Sequence, residues 1–288
     1  MRTNATDGVL LVDKPAGLTS HDVVAVARRV LRTRRIGHTG TLDPFATGLL
    51  VLLVGRGTRL TSYVQGEPKV YETTIAFGAE TSTDDLTGQV IRVSALPLAA
   101  DVDRAIEELS GTIMQRPPDY SAKQVAGRRA YAAARAGTPL ELEPVAVVVH
   151  EWRIRDRQAD SLNVTITCGG GTYIRALARD LGRLTGSAAH LTKLRRTRSG
   201  VFDVEKALPL AELQERGEGG VIALRSAIPQ LPDQRMTEEE QKRVRHGNPI
   251  DARVDGPLAA LVDDSGALIA VARNEGGRLH PRLVMADD

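Results

Sequence analysis

Gly37-His38-Thr39-Gly40-Thr41-Leu42-Asp43-Pro44-Phe45-Ala46-Thr47-Gly48, running directly into Leu49-Leu50-Val51-Leu52-Leu53-Val54, is the stretch on which the fold turns. The closing run is apolar without alternation, which reads as a strand buried on both faces and therefore requires packed material on each side. Before it, Gly37 to Gly48 reads as a loop: its glycines permit tight backbone, and Pro44 restricts the residue that precedes it. A loop anchored by a doubly buried strand is a rigid support for a reactive side chain, and Asp43 is the candidate. An isolated Asp-Pro is more often a turn whose carboxylate bonds its own backbone, so this segment alone leaves both readings open.

Working outward, Gly8 to Pro15 reads as a strand, and a helix follows from Ser20, whose hydroxyl can cap it, with Val23, Val26, Ala27 and Val30 on one face. Lys69 to Phe77 alternates, placing Tyr71, Thr73, Ile75 and Phe77 on one side of a strand. Asp101 to Leu109 reads as an amphipathic helix, and Val145 to Arg155 and Leu162 to Cys168 as two further strands. Between these, Arg116 to Pro144, rich in Pro, Gly, Ala and basic residues, looks like an excursion from the sheet. Thr172 is placed to cap a helix with an apolar stripe of Ile174, Leu177, Ala178, Leu181 and Leu184, while Arg175, Arg179 and Arg183 run down another face. Glu215 to Gly220 and Pro229 to Pro232 read as a linker, and Pro249 to Met285 as short strands of a small barrel. The irregular alternation of strands and helices predicts an α+β fold with a mixed, largely antiparallel central sheet flanked by helices.

The chain has 288 residues, enough for one large and one small domain, and we expect a domain over 1–228, with the excursion at 116–144, and a second over 233–288. Lys and Arg number 38 against 36 Asp and Glu, so net charge does not point to a polyanion. Distribution does: Arg28, Arg29, Arg32, Arg34 and Arg35 crowd together, and Arg175, Arg179, Arg183, Lys193, Arg195, Arg196 and Arg198 follow Tyr173 with Asp180 as the one acid among them. Such segregation predicts basic stripes facing phosphates. Cys168 is the single cysteine, which excludes an internal disulfide and a multi-thiolate metal site, and no His, Cys or carboxylate spacing suggests a metal. The apolar run Val9 to Val12 is too short for a signal segment or a bilayer span, so a cytoplasmic protein without membrane association is expected. Gly169-Gly170-Gly171 lacks the Lys-Ser or Lys-Thr of a nucleotide-phosphate loop.

The 37–48 loop resembles the signature of the TruB family of bacterial tRNA pseudouridine-55 synthases, Gly-His-x-Gly-x-Leu-Asp-Pro-x-Ala-x-Gly, at every fixed position. Gly8 to Pro15, Lys69-Val70-Tyr71, Tyr120-Ser121-Ala122, Gly171-Thr172-Tyr173-Ile174-Arg175 and Leu194-Arg195-Arg196 resemble the same family. Leu279-His280-Pro281-Arg282-Leu283-Val284 is similar to the last strand of a PUA RNA-binding module. One departure is that Ser121-Ala122-Lys123-Gln124-Val125-Ala126-Gly127 carries its lysine one place earlier than many relatives.

The resemblance implies a pseudouridine synthase fold with a small C-terminal PUA-like β-barrel, and an isomerase that converts a T-loop uridine of tRNA to pseudouridine without a cofactor. It implies that Asp43 is the catalytic acid, attacking the sugar C1′ or assisting loss of the base. It implies that Tyr71 stacks on the flipped base, and that Arg175 pairs with Asp43. His38, Lys14, Asp85, Tyr120, Tyr173 and Leu194 match substrate-binding positions, with Asp84 a near competitor of Asp85. The implied partner is the T-stem and T-loop of tRNA, gripped partly by 116–144, with marked salt sensitivity, no guide RNA, and the protein a monomer. Two other function classes remain open: a tRNA-folding chaperone in which chemistry is secondary, and an RNA N-glycosidase, which should use two carboxylates and release the base.

Overall fold

The computed structural model describes residues 6–64, 66–121, 123–125, 128–138 and 140–285. Ala122, Ala126, Gly127 and Pro139 of the 116–144 excursion, and the outer ends of the two expected domains, lie outside the described residues.

In chain order the elements are β1 Gly8–Lys14, α1 Ser20–Val30, β2 Ile36–His38, β3 Thr47–Val54, β4 Lys69–Phe77, β5 Ala79–Thr81 and β6 Val90–Val93. Next come α2 Ala99–Glu108, β7 Gly111–Gln115, β8 Gln124–Val125, β9 Arg128–Arg129, α3 Ala130–Arg135, β10 Val145–Arg157, β11 Ser161–Cys168, α4 Ile174–Leu184 and β12 Ala189–Ser199. The last part holds β13 Phe202–Asp203, β14 Leu208–Pro209, α5 Leu210–Arg216, β15 Asp233–Arg235, α6 Glu238–Arg245, β16 Ile250–Asp251, β17 Leu258–Val262, β18 Leu268–Glu275 and β19 Arg278–Val284. The fold is α+β.

Contacts divide the chain into two compact units: Met1–Asp43 with Leu49–Gly66 and Val201–Asp288, and Pro44–Gly48 with Glu67–Gly200. In the first unit β1 lies between β14, which it joins in parallel, and β3, while β2 pairs antiparallel with β3. The apolar run 49–54 is buried on both faces for a specific reason. Leu49, Val51 and Leu53 share a core with Val9, Leu11 and the C-terminal strand residues Ala260, Val271 and Leu283, whereas Leu50, Leu52 and Val54 pack with Val23, Val24 and Ala27 of α1 and with Leu213 of α5. Each such side chain contributes roughly 1.5–3 kcal/mol by leaving water, which holds residues 49–54 firmly in this unit. The C-terminal strands form a sheet in the order β15-β17-β18-β19-β16, curled as a half-barrel and consistent with a PUA-like module. Glu215 to Gly220, read from sequence as part of a linker, instead closes α5 and leads to Ile222, which exchanges backbone hydrogen bonds with Val9 of β1.

The second unit is a sheet in the order β12-β4-β11-β10-β7, antiparallel throughout. Thr47 and Gly48, the first residues of β3, join it in parallel beside Arg195 and Arg196. Tyr71, Thr73, Ile75 and Phe77 are the buried residues of β4, as their alternation predicts. The 116–144 segment stands outside this sheet as the β8–β9 hairpin and α3. Among the described residues no helix is long and apolar enough to cross a membrane.

Candidate active site

Asp43 sits in a turn whose two arms are zipped together. Ile36, Gly37 and His38 pair with Val54, Leu53 and Leu52, and the Thr39 amide donates to the Val51 carbonyl, so the chain crosses from β2 into β3 through residues 40–46. Leu42 is buried beside Asp43, and the Ser20 hydroxyl secures its backbone by accepting from the Leu42 amide at 2.8 Å and donating to its carbonyl at 3.2 Å. Ser20 is therefore not the helix cap expected from sequence. Thr19 is, in a capping box with Asp22, whose carboxyl is held below its ordinary value by the hydrogen bonds from Thr19. Ser20 lies one residue too late to cap, as the first residue of the helix, and is buried.

The distinction is measurable: Ser20→Ala leaves two buried backbone groups of Leu42 without their hydroxyl partner and is expected to cost about 1–3 kcal/mol in chemical denaturation. Thr19→Ala loses an exposed cap and is expected to cost about 1 kcal/mol. The reverse ranking would remove Ser20 as the anchor of the Asp43 turn.

Asp43 itself is half-buried. Lys14, at the end of β1 in the same unit, is fully buried and donates to the carbonyls of Pro15 at 2.9 Å and Leu18 at 2.7 Å, fastening the turn that enters α1. His38 is half-buried and meets the ring of His21 edge-on, with centroids 5.7 Å apart.

The remaining candidates belong to the second unit. Register places Tyr71 opposite Arg196 and Thr73 opposite Leu194, so Tyr71 and Leu194 share one face of the β4–β12 pair as diagonal neighbours. Arg175, in the first turn of α4, is 3% exposed and makes its bonds off the helix: to the Thr83 carbonyl at 2.8 Å, to the Tyr120 carbonyl at 2.8 Å, and towards the Asp85 carboxylate at 3.8 Å. Arg175, Asp85 and Tyr120 are thus brought together. Asp85 accepts from the Thr83 hydroxyl at 2.7 Å and from the amide and hydroxyl of Thr87 at 2.9 and 2.5 Å. Asp84 turns instead to Arg179, at 3.0 Å. Tyr173 is half-buried, and its backbone is clamped from both sides by the Gln115 side-chain amide, which accepts from its N–H at 2.8 Å and donates to its carbonyl at 3.1 Å. Tyr173 is also the N-cap of α4, without a side-chain cap, so the cap expected from Thr172 does not form.

Electrostatics corrects the basic stripe at 175–198. Arg175, Arg179 and Arg196 are buried, and Arg183 pairs with Glu80, which also receives Arg92. Burial works against the Glu80 charge, yet Arg183 and Arg92 hold its carboxyl below the ordinary value. Arg175, Arg179 and Arg196 brace the protein interior and cannot grip phosphates, whereas Arg183, Lys193 and Arg198 stay exposed. Arg28, Arg29, Arg32, Arg34 and Arg35 do remain exposed, with Arg28 donating to the Ile36 carbonyl. Burial pushes the Cys168 thiol up to about 11, which leaves no thiolate for chemistry.

Two positioning residues escaped the sequence reading: Ser20 anchors Leu42 rather than capping α1, and Gln115 is a polar side chain with no exposure at the end of β7. Neither left a usable signal in the sequence, because the strand that ends at Gln115 and the turn that meets Ser20 are both set by remote partners.

The TruB family pseudouridylate synthase (N terminal domain) model matches residues 28–174, and the tRNA pseudouridylate synthase B C-terminal domain model matches residues 175–228. The chain is 45% identical over 292 residues to "tRNA pseudouridine synthase B" of Thermobifida fusca, covering 97% of this chain and 99% of that one. It is 42% identical over 286 residues to the protein of the same name from Mycobacterium tuberculosis, covering 96% and 95%. Among solved structures, a chain of a Cbf5-Nop10-Gar1 complex is similar with a TM-score of 0.73 at 22% identity, over 98% of this chain and 86% of that one, which shows the fold.

Proposed function

The chain belongs to the TruB family of pseudouridylate synthases, and from that premise we propose that it isomerises the uridine at position 55, in the T-loop of tRNA, with Asp43 as the catalytic carboxylate. It is an isomerase that makes pseudouridine in tRNA. The reaction breaks the glycosidic C–N bond, turns the uracil, and forms a C–C bond from C1′ to C5, while the hydrogen of C5 leaves as a proton and the freed N1 takes one up. Nothing is oxidised or reduced, so one ionised oxygen beside C1′ is sufficient. Because C1′ and C5 cannot both be reached in a stacked loop, the nucleotide must be extruded, at a cost of a few kcal/mol offset by stacking and polar contacts.

The observation that carries the assignment to Asp43 is its anchorage. Ser20 fixes Leu42 on one side, and on the other Thr47 and Gly48 are locked in register with Arg195 and Arg196. Covalent geometry keeps Asp43 within about 14 Å of Thr47. In this reading Tyr71 stacks on the extruded uracil with Tyr173 and Leu194 as walls, and Arg175 is the counter-charge of Asp43. Lys14, His38, Asp85 and Tyr120 line the path of the RNA. Residues 1–228 form the catalytic domain, with 116–144 closing on the T-arm, and 233–288 the RNA-binding module of a monomer working in the cytoplasm without a guide RNA. Binding with secondary chemistry, as in a folding chaperone, is compatible with the same surface.

The test is incubation of the protein with unmodified tRNA labelled at uracil C5. Label is expected to reach water in proportion to pseudouridine formed, with no free uracil. Free uracil would reassign the site to a glycosidase, and tRNA binding without either product would leave only the chaperone.

A further inference from the structure

Along α4, Arg175, Arg179 and Arg183 recur at every fourth residue, and each meets an acid contributed by β5 or the turn that follows it. Arg175 faces Asp85 at 3.8 Å, Arg179 meets Asp84 at 3.0 Å, and Arg183 pairs with Glu80. The middle rung is enclosed and has no part in the chemistry assigned above. Asp84 and Arg179 are both buried, and Arg179 also reaches Asp180 at 2.8 Å and the Arg116 carbonyl at 2.8 Å.

Asp84 is held in a conformation that resists it. Its φ is 60°, in the left-handed region that side chains with a Cβ avoid. Its amide donates to the Thr81 carbonyl at 3.1 Å, and its own carbonyl accepts from the Leu191 amide at 3.1 Å. Such strain persists only where the surroundings impose it. The residues on either side both touch Arg175: Thr83 through its carbonyl and Asp85 through its carboxylate.

We propose that Asp84 is a positioning residue: by fixing the 82–88 turn to Arg179 it sets where Thr83 and Asp85 hold the guanidinium of Arg175. The proposal rests on the reading of Arg175 and Asp85 as site residues.

The groups facing Asp84 are Arg179, Arg175 and Arg183 from α4, with Asp180 behind Arg179, and Glu80 and Asp85 from its own side. Burial outweighs the arginines and pushes Asp84 up to about 6 from 3.8. Its folded value is therefore above its unfolded one. The stability it contributes is fully present below 3.8 and is lost as pH rises through about 6. Positioning needs the charged form and has the opposite sign: as pH falls through about 6, this group makes the protein more stable and the reaction slower.

Asp84→Asn mimics the protonated state. We expect kcat on tRNA to fall about tenfold with KM within about twofold, the size usual for a group that acts through another. Its Tm at neutral pH should equal or exceed that of the unsubstituted protein, and the limb of the kcat profile near pH 6 should disappear. Arg179→Gln should slow the reaction similarly, and the double variant should be no slower than the slower single one. A kcat unchanged in Asp84→Asn overturns the proposal alone. So does a loss of rate matched by a fall in Tm, which would mark a structural role. An unsubstituted protein that releases no C5 label overturns the site reading, and this proposal with it.

Discussion

Asp43→Asn is expected to lower pseudouridine formation by about 10⁴-fold or more while leaving tRNA binding within about threefold. Asparagine keeps the size and shape of the side chain and removes only the negative oxygen. An amide can neither bond to C1′ nor stabilise positive charge there, so both of the routes open to the carboxylate are closed by one substitution. The fold should survive, because Asp43 is half-buried while its turn is secured by the Ser20 bonds to Leu42 and by the pairing of β2 with β3. Three measurements separate the outcomes: release of label from uracil C5, retention of tRNA by gel shift, and the midpoint of denaturation. Label release within tenfold of the unsubstituted protein would move the chemistry off Asp43. Lost binding together with lost release would make Asp43 a recognition residue. A folding chaperone alone would be indifferent to the change.

Much of the architecture could be read in advance because it rests on local pattern. The uninterrupted apolar run 49–54 requires cover on both faces, and it has α1 on one and the C-terminal strands on the other. Alternation in β4 places Tyr71 on the buried face without knowledge of its neighbours. What could not be read depends on partners remote in sequence. Arg175, Arg179 and Arg183 look like a phosphate-binding stripe as long as only their own helix is in view. The acids that neutralise them, Glu80, Asp84 and Asp85, lie roughly ninety to a hundred residues earlier in the chain. Sequence proximity governs charge counting but not charge pairing, since an ion pair is decided by which elements pack together. Ser20 misleads for a related reason. A hydroxyl at a helix start has a strong local use, capping, and a nonlocal one, holding Leu42, and only the position of the 40–46 turn selects between them.

The glycines of the motif show the same division, and they yield the second large effect. Sequence reading gives Gly37 and Gly48 the same purpose, yet only one of them is sterically required. A Cβ on Gly48 would stand 2.2 Å from the Arg196 carbonyl oxygen, 2.8 Å from its nitrogen and 2.9 Å from its carbonyl carbon, and the φ of Gly48 is 100°. These are backbone atoms in a paired strand and cannot swing aside as a side-chain tip would. Gly48→Ala must therefore either adopt an unfavourable φ, at about 1–3 kcal/mol, or break the parallel pairing with Arg195 and Arg196, and we expect a total loss of about 3–5 kcal/mol in urea denaturation. Gly37 has nothing within 4 Å of the same built atom, so Gly37→Ala should change stability by no more than about 1 kcal/mol in either direction. The consequence for function follows from connectivity. Thr47 and Gly48 fix the downstream end of the turn that carries Asp43, so at a temperature where the Gly48→Ala protein is still folded its kcat should fall at least about tenfold, with tRNA binding less affected. If Gly48→Ala were as stable and as fast as Gly37→Ala, the close approach to Arg196 would not be what holds the turn, and the anchorage argued for Asp43 would lose its downstream half.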